Sequence, residues 1–196
     1  MNKRLVPHVL PLLLALIAIG CALSGNNATL ELRYERAAIE AGQVWRLITG
    51  NLVHLGWPHL AMNLAGLLLI WVIFFRDLVI RQWTTVVAVS ACAVGVGLYL
   101  FNTQLNWYVG LSGILHGLLI APLVMRIRRG YRFEWLILLA LCAKLGWEQW
   151  AGAVPGSAEM AGGNVVVDAH LYGAIGGLLV ALLVKPAPQS ANDAPA

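Results

Sequence analysis

Ser112 stands in the run Gly110-Leu-Ser-Gly-Ile-Leu-His-Gly117, bracketed by Gly110 and Gly113 and followed four residues later by His116. A hydroxyl in that setting can cap a helix, let two helices approach closely, or act as a nucleophile. His59 and Asn63 repeat the four-residue spacing, and His170 follows Asp168 by two. Serine, histidine and an amide donor are the parts of acyl transfer. The hydroxyl attacks a carbonyl, the imidazole removes its proton, and hydrogen-bond donors hold the oxyanion. These parts do chemistry together only if the elements carrying them meet at one depth.

The chain has 196 residues, 60% of them hydrophobic and 11% charged, with a mean hydropathy of +0.76. A soluble domain carries roughly 25% charge, so the composition indicates an all-α integral membrane protein. Cys21, Cys92 and Cys142 all lie in apolar runs, and that spacing builds neither a disulfide framework nor a zinc ribbon.

A helix needs about 20 apolar residues to cross a bilayer core. Six runs qualify as spans: Val6–Leu23, His59–Phe75, Trp83–Phe101, Gly110–Met125, Phe133–Ala151 and Val167–Val184. Lys3, Arg4, Arg76, Arg81, Arg126, Arg128, Arg129, Arg132 and Lys185 fall on one side of them. The other side holds Arg33, Arg36 and Arg46, offset by Glu31, Glu35 and Glu40. The positive-inside rule then makes both termini cytoplasmic, and the even-numbered spans run inward from the outer face. This distribution accounts for the net charge of +4, so no nucleic-acid partner is expected.

The first run follows a basic start, as in a signal peptide, but its length and the five later runs favour a retained span. The connection from Gly25 to Pro58 mixes apolar and charged residues at helical spacing, with Trp45 and Trp57 as interfacial anchors. It reads as short amphipathic helices at the outer membrane surface. Residues 1–185 form the membrane domain, and the Pro/Ala-rich tail 186–196 reads as disordered.

With this orientation, the second, fourth and sixth spans carry His59 and Asn63, Ser112 and His116, and His170 near their outer ends. Ionisable groups inside a membrane are costly and usually face the bundle interior, so each is a functional candidate. Each also has a bland reading: a small residue at a helix contact for Ser112, interhelical glue for Asn63, bridging for either histidine. Their coincidence in depth favours chemistry. Gly110 and Gly113 leave backbone N–H groups open in the first helical turn, where negative charge is favoured. His170, Gly173 and Gly177 form one glycine-lined face, which lets the sixth span press against the fourth and bring His170 to Ser112. Lys144 and Glu148 in the fifth span are one turn apart and can neutralise each other.

These residues resemble the rhomboid intramembrane serine proteases over nearly all six spans. The matching elements are Trp45-Arg46, His59-Leu-Ala-Met-Asn63, Gly110-Leu111-Ser112-Gly113 and Ala169-His170-Leu-Tyr-Gly173, in that order. The resemblance implies Ser112 as nucleophile and His170 as base, with an oxyanion site from His59, Asn63 and the Ser112 backbone N–H. It implies neither metal nor cofactor. Rhomboids commonly carry an aromatic residue four positions after the serine, against which the histidine stacks. Here that position is His116, an alternative base on the same helix face as Ser112.

Gly110–Gly117 and the short chain are most like the rhombosortase subgroup. That subgroup is associated with bacterial surface proteins whose C-terminal anchors contain a Gly-Gly motif. The expected partners are such transmembrane substrates and the lipid bilayer. The expected location is a bacterial inner membrane, with the site opening to the periplasmic face. Lys144, Trp147 and Glu148 are candidate substrate contacts, since the fifth span of the family is thought to flank substrate entrance. Water would complete hydrolysis, or another nucleophile would give transfer. The competing readings are a metalloprotease, which would want His-Glu-x-x-His, and a non-catalytic scaffold or transporter. The sequence has no such motif, and shows no internal repeat of the transporter kind.

Overall fold

The computed structural model describes residues 8–185. The expected start of the first span at Val6, the N-terminal basic residues and the tail 186–196 lie outside the described residues. Helix α1 (Val9–Leu23) breaks at Ser24 into α2 (Gly25–Leu32), bent by 117°. A two-residue strand β1 (Tyr34–Glu35), α3 (Arg36–Glu40) and α4 (Arg46–Thr49) follow. Then come α5 (Trp57–Phe74), α6 (Ile80–Phe101), strand β2 (Trp107–Tyr108), α7 (Ser112–Arg128), α8 (Glu134–Ala151), α9 (Ser157–Ala161) and α10 (Val167–Leu183).

The long helices form where apolar runs leave the backbone no solvent partner in lipid and every N–H must be satisfied within the segment. Their limits are chemical. Pro58 lies in the first turn of α5, where its missing N–H costs no bond. Gly130 and Gly152, both with positive φ, follow the ends of α7 and α8. The end of α6 is held from outside, because the Arg36 guanidinium donates to the carbonyls of Leu98, Asn102 and Leu105 at 3.0–3.2 Å.

Helix α7 is central, packed against α5, α6, α8 and α10. Its contact with α10 is the most extensive between helices among the described residues, and glycine makes it possible. A Cβ on Gly173 would collide with the Gly113 carbonyl, and one on Gly177 would stand 2.6 Å from the Gly117 Cα. The two backbones are in direct contact, as the glycine spacing predicts. Helix α8 touches α7 and α10 and leaves Phe133, Trp135, Leu136, Leu139 and Trp150 exposed.

Among the described residues, two helices, α5 and α6, are long and apolar enough by themselves to cross a membrane, and α1 with α2 qualifies as one bent pair. Helix α10 is apolar but has 17 residues. The other expected spans fall short because of the residues that make them interesting. Helix α7 has 17 residues ending in Arg126 and Arg128, and α8 contains Glu134, Lys144 and Glu148.

The outer connection departs from a purely helical expectation. It contains α2, α3 and α4, and in addition β1 pairs antiparallel with β2, Tyr34 opposite Tyr108. Arg46, 5% exposed, braces this region by donating to the carbonyls of Leu30 (2.8 Å) and Arg33 (3.0 Å) and to Gln43 (2.7 Å). The strand pair and the bond from Gly110 N–H to the Gly50 carbonyl, 3.1 Å, tie the connection to the start of α7. At the opposite end, Asp77 binds Arg126 and Arg129 at 2.8 and 3.2 Å.

Candidate active site

Ser112 is the first residue of α7, and its half-buried side chain faces α10. The approach to it is fixed by Gly110, whose φ of +130° suits glycine. A Cβ there would also stand 2.8 Å from the His59 ring. Leu111 precedes Ser112 fully buried, and its carbonyl accepts the Leu115 N–H at 3.0 Å.

His170, one turn into α10, places Nε2 3.0 Å from the Ser112 Oγ. That contact rests on the glycine interface: Gly113 next to Ser112 meets the backbone of Ala169 next to His170. His116 does not reach the hydroxyl. Its Nδ1 is 2.7 Å from the carbonyl oxygen of Ser112, one turn earlier on its own helix, and its ring stacks on His170.

His59 and Asn63, 8% and 4% exposed, sit on the buried face of α5. The His59 Nδ1 accepts the Leu55 N–H at 3.4 Å, which leaves Nε2–H as the donor beside Gly110. The Asn63 amide nitrogen is buried without a hydrogen-bond partner. A buried donor left open is unusual, since most such groups are paired.

Lys144 and Glu148 pair, at 2.8 Å, as their spacing predicts, and Glu148 has a second neighbour on α10. It is 3% exposed, and both its carboxylate oxygens lie 3.0–3.1 Å from the His170 Nδ1. Both residues fall on the face of α8 that packs against α7 and α10. The Lys144 ammonium stands 2.6 Å from the His116 Nε2. Trp147 remains outward, 45% exposed and edge-on to Trp150. Asp168 serves elsewhere: it accepts from Asn102, the residue after α6, whose side-chain oxygen accepts the Tyr172 hydroxyl at 2.9 Å.

Tyr108 was not among the expected site residues, although it lies four positions before Ser112. Its buried hydroxyl donates to the Gly110 carbonyl at 2.5 Å, bracing the turn that leads into Ser112. Burial raises its ionisation well above the usual phenol range, so it acts as a neutral group.

Among the described residues, His116, Glu148 and His170 have ligand atoms within 4.8 Å of one another, a spacing that suits a metal ion. The Lys144 ammonium already makes close contact with all three, so the place of a cation is taken by a side chain. Elsewhere in the molecule His54, in the loop before α5, lies edge-on to His59, with ring centroids 5.1 Å apart.

Residues 41–187 match the family described as Rhomboid domain. The chain is also 31% identical over 146 residues to the Bacillus subtilis (strain 168) protein named "Putative rhomboid protease YdcA". The match covers 72% of this chain and 68% of that protein.

Proposed function

The chain belongs to the rhomboid family, and from that premise we propose that it is an intramembrane serine endopeptidase in which Ser112 attacks and His170 is the base. The observation that carries the reading is the 3.0 Å contact between the His170 Nε2 and the Ser112 Oγ. A general base must lie within that reach of the proton it takes.

Ser112 adds to the scissile carbonyl as its proton passes to His170. The oxyanion is held by the His59 Nε2–H, the Asn63 amide and a backbone N–H at the start of α7. His170 then gives the proton to the leaving amine, and an acyl-enzyme remains on Ser112. Water, deprotonated by the same imidazole, hydrolyses the ester; an amine in its place would give transfer.

The protein is an integral membrane protein of a family acting on transmembrane substrates within the bilayer. In our reading it spans the membrane six times, through α1, α5, α6, α7, α8 and α10. Both termini are cytoplasmic, and the site opens to the periplasmic face of a bacterial inner membrane. The clustering of Arg126 and Arg129 with Asp77 at the far end of α7 from Ser112 supports that orientation.

The substrate class is rhombosortase-like: surface proteins held by a C-terminal apolar anchor preceded by glycines. Glycine lowers helix stability by ~1 kcal/mol relative to alanine, which favours an extended strand at Ser112. A basic end keeps the anchor's C-terminus cytoplasmic and presents the glycines at the outer face. The alternative is a non-catalytic scaffold that binds transmembrane segments.

Activity-based labelling separates the two. A fluorophosphonate incubated with the purified protein in proteoliposomes should modify Ser112, identified by peptide mass, and leave Ser112→Ala unlabelled. Absence of labelling at Ser112 in the folded protein would favour the scaffold.

A further inference from the structure

A carboxylate only accepts hydrogen bonds, an ammonium only donates, and a neutral imidazole donates from one nitrogen while accepting at the other. Applied around Ser112, these rules leave one arrangement of protons. Glu148 faces the His170 Nδ1 with both oxygens, at 3.1 and 3.0 Å, so Nδ1 carries the hydrogen. Nε2 is then bare and accepts from the Ser112 hydroxyl, 3.0 Å away.

Lys144 donates to Glu148 at 2.8 Å and to the His116 Nε2 at 2.6 Å. The remaining His116 hydrogen is therefore on Nδ1, which donates to the Ser112 carbonyl at 2.7 Å. The 3.2 Å approach of Lys144 to the His170 Nδ1 is a contact without a hydrogen bond, because that nitrogen already bears its proton. The circuit starts at the hydroxyl of Ser112 and closes on the carbonyl of the same residue.

We propose that Glu148 is a positioning residue that holds His170 in the Nδ1–H tautomer and steadies the imidazolium formed during attack. Lys144 is its built-in counter-ion, and His116 clamps Lys144 while stacking on His170. The proposal rests on the Ser112–His170 reading above. The opposite tautomer would aim an N–H at Ser112, leaving nothing to take its proton. A lone carboxylate 3% exposed would be costly, which explains a lysine one helical turn before it. The sequence pattern of a local ion pair thus conceals a charged support for another helix's histidine.

The test uses the full chain in proteoliposomes with a cleavable transmembrane reporter. Glu148→Gln keeps the shape and removes the charge, and its turnover should fall ~100-fold or more with little change in KM. Glu148→Asp should recover part of the loss. In 15N spectra of histidine-labelled protein, the His170 resonances, assigned by their loss in His170→Ala, should report the Nδ1–H tautomer. That tautomer should be depleted in Glu148→Gln.

Lys144→Met alone should impair turnover, but in the Glu148→Gln background it should cost no more than about twofold further. Wild-type turnover in Glu148→Gln, or an unchanged His170 tautomer, would overturn the proposal while leaving a serine-dependent enzyme in place. Undiminished cleavage by Ser112→Ala would instead overturn the reading on which it rests.

Discussion

His116 and His170 lie face to face, ring centroids 4.3 Å apart and planes 18° from parallel, yet only His170 reaches the Ser112 hydroxyl. The two rings can therefore be separated by substitution. His170→Ala should abolish turnover, and combining it with Ser112→Ala should be no worse than either alone, as for groups working as one unit. His116→Phe keeps a flat ring against His170 and leaves the Ser112–His170 contact in place, so it should retain measurable turnover where His170→Ala has none. Full activity in His170→Ala with loss in His116→Phe would move the base to α7. Initial rates on one reporter decide it.

Asn63 and His59 are assigned to charge stabilisation, and the unpaired Asn63 amide nitrogen is what that role requires. Losing one oxyanion donor typically costs ~100- to 1,000-fold in turnover. Asn63→Ala should show that loss while fluorophosphonate labelling of Ser112 remains detectable. Unchanged turnover would remove Asn63 from the oxyanion site.

Backbone contact between α7 and α10 sets the distance from Ser112 to His170. Gly173→Ala puts a methyl group into the Gly113 carbonyl. Overpacking of this kind costs ~1–3 kcal/mol, and here it also pushes the two catalytic side chains apart. The expected outcome is a lower unfolding midpoint in detergent together with a loss of turnover larger than the loss of folded protein. Gly146→Ala on α8, where a Cβ meets open space, is the control: it should leave turnover unchanged and should not lower the unfolding midpoint, since alanine favours the helix over glycine.

Much of this site could be read in the sequence because lipid makes polar residues conspicuous. Ser112, His170, His59 and Asn63 stood out against apolar runs, and the glycines on the His170 face identified the helix pair. The contact of Glu148 with His170 is not legible in the sequence: Lys144 one turn away offers a complete local explanation, and nothing in a linear chain reports a partner on α10. Tyr108 carries no signal in the sequence, because an aromatic residue at a membrane edge is unremarkable there. The β1–β2 pair, two residues per strand, is too short to leave any periodicity.

His54, in the loop before α5, is buried and neither ring nitrogen has a hydrogen-bond partner. Burial, and then the nearby His59, push its ionisation down to about 3. The unfolded chain binds this proton below its ordinary value of 6.5 and the folded protein does not. Stability is therefore full above that pH and declines as pH falls toward 3, by up to ~1.4 kcal/mol per unit. Between pH 7 and pH 5 the wild type should lose more in unfolding midpoint than His54→Leu. Equal losses would show that His54 takes up its proton in the folded state.

The substrate reading predicts cleavage near a Gly-rich junction ahead of a C-terminal anchor. Intact mass of the released protein after co-expression should place the cut there, and changing the glycines to leucine should suppress it. A cut far from the junction would rule out the substrate class and leave the peptidase assignment standing.

The most direct test of the central claim is the rate at which purified protein in proteoliposomes cleaves a transmembrane reporter, wild type against Ser112→Ala. Removing the nucleophile of a serine protease can cost on the order of a million-fold in turnover. The account predicts a mass-identified product from the wild type and none above background from Ser112→Ala of equal folded amount. Cleavage by Ser112→Ala at a rate near that of the wild type would contradict it.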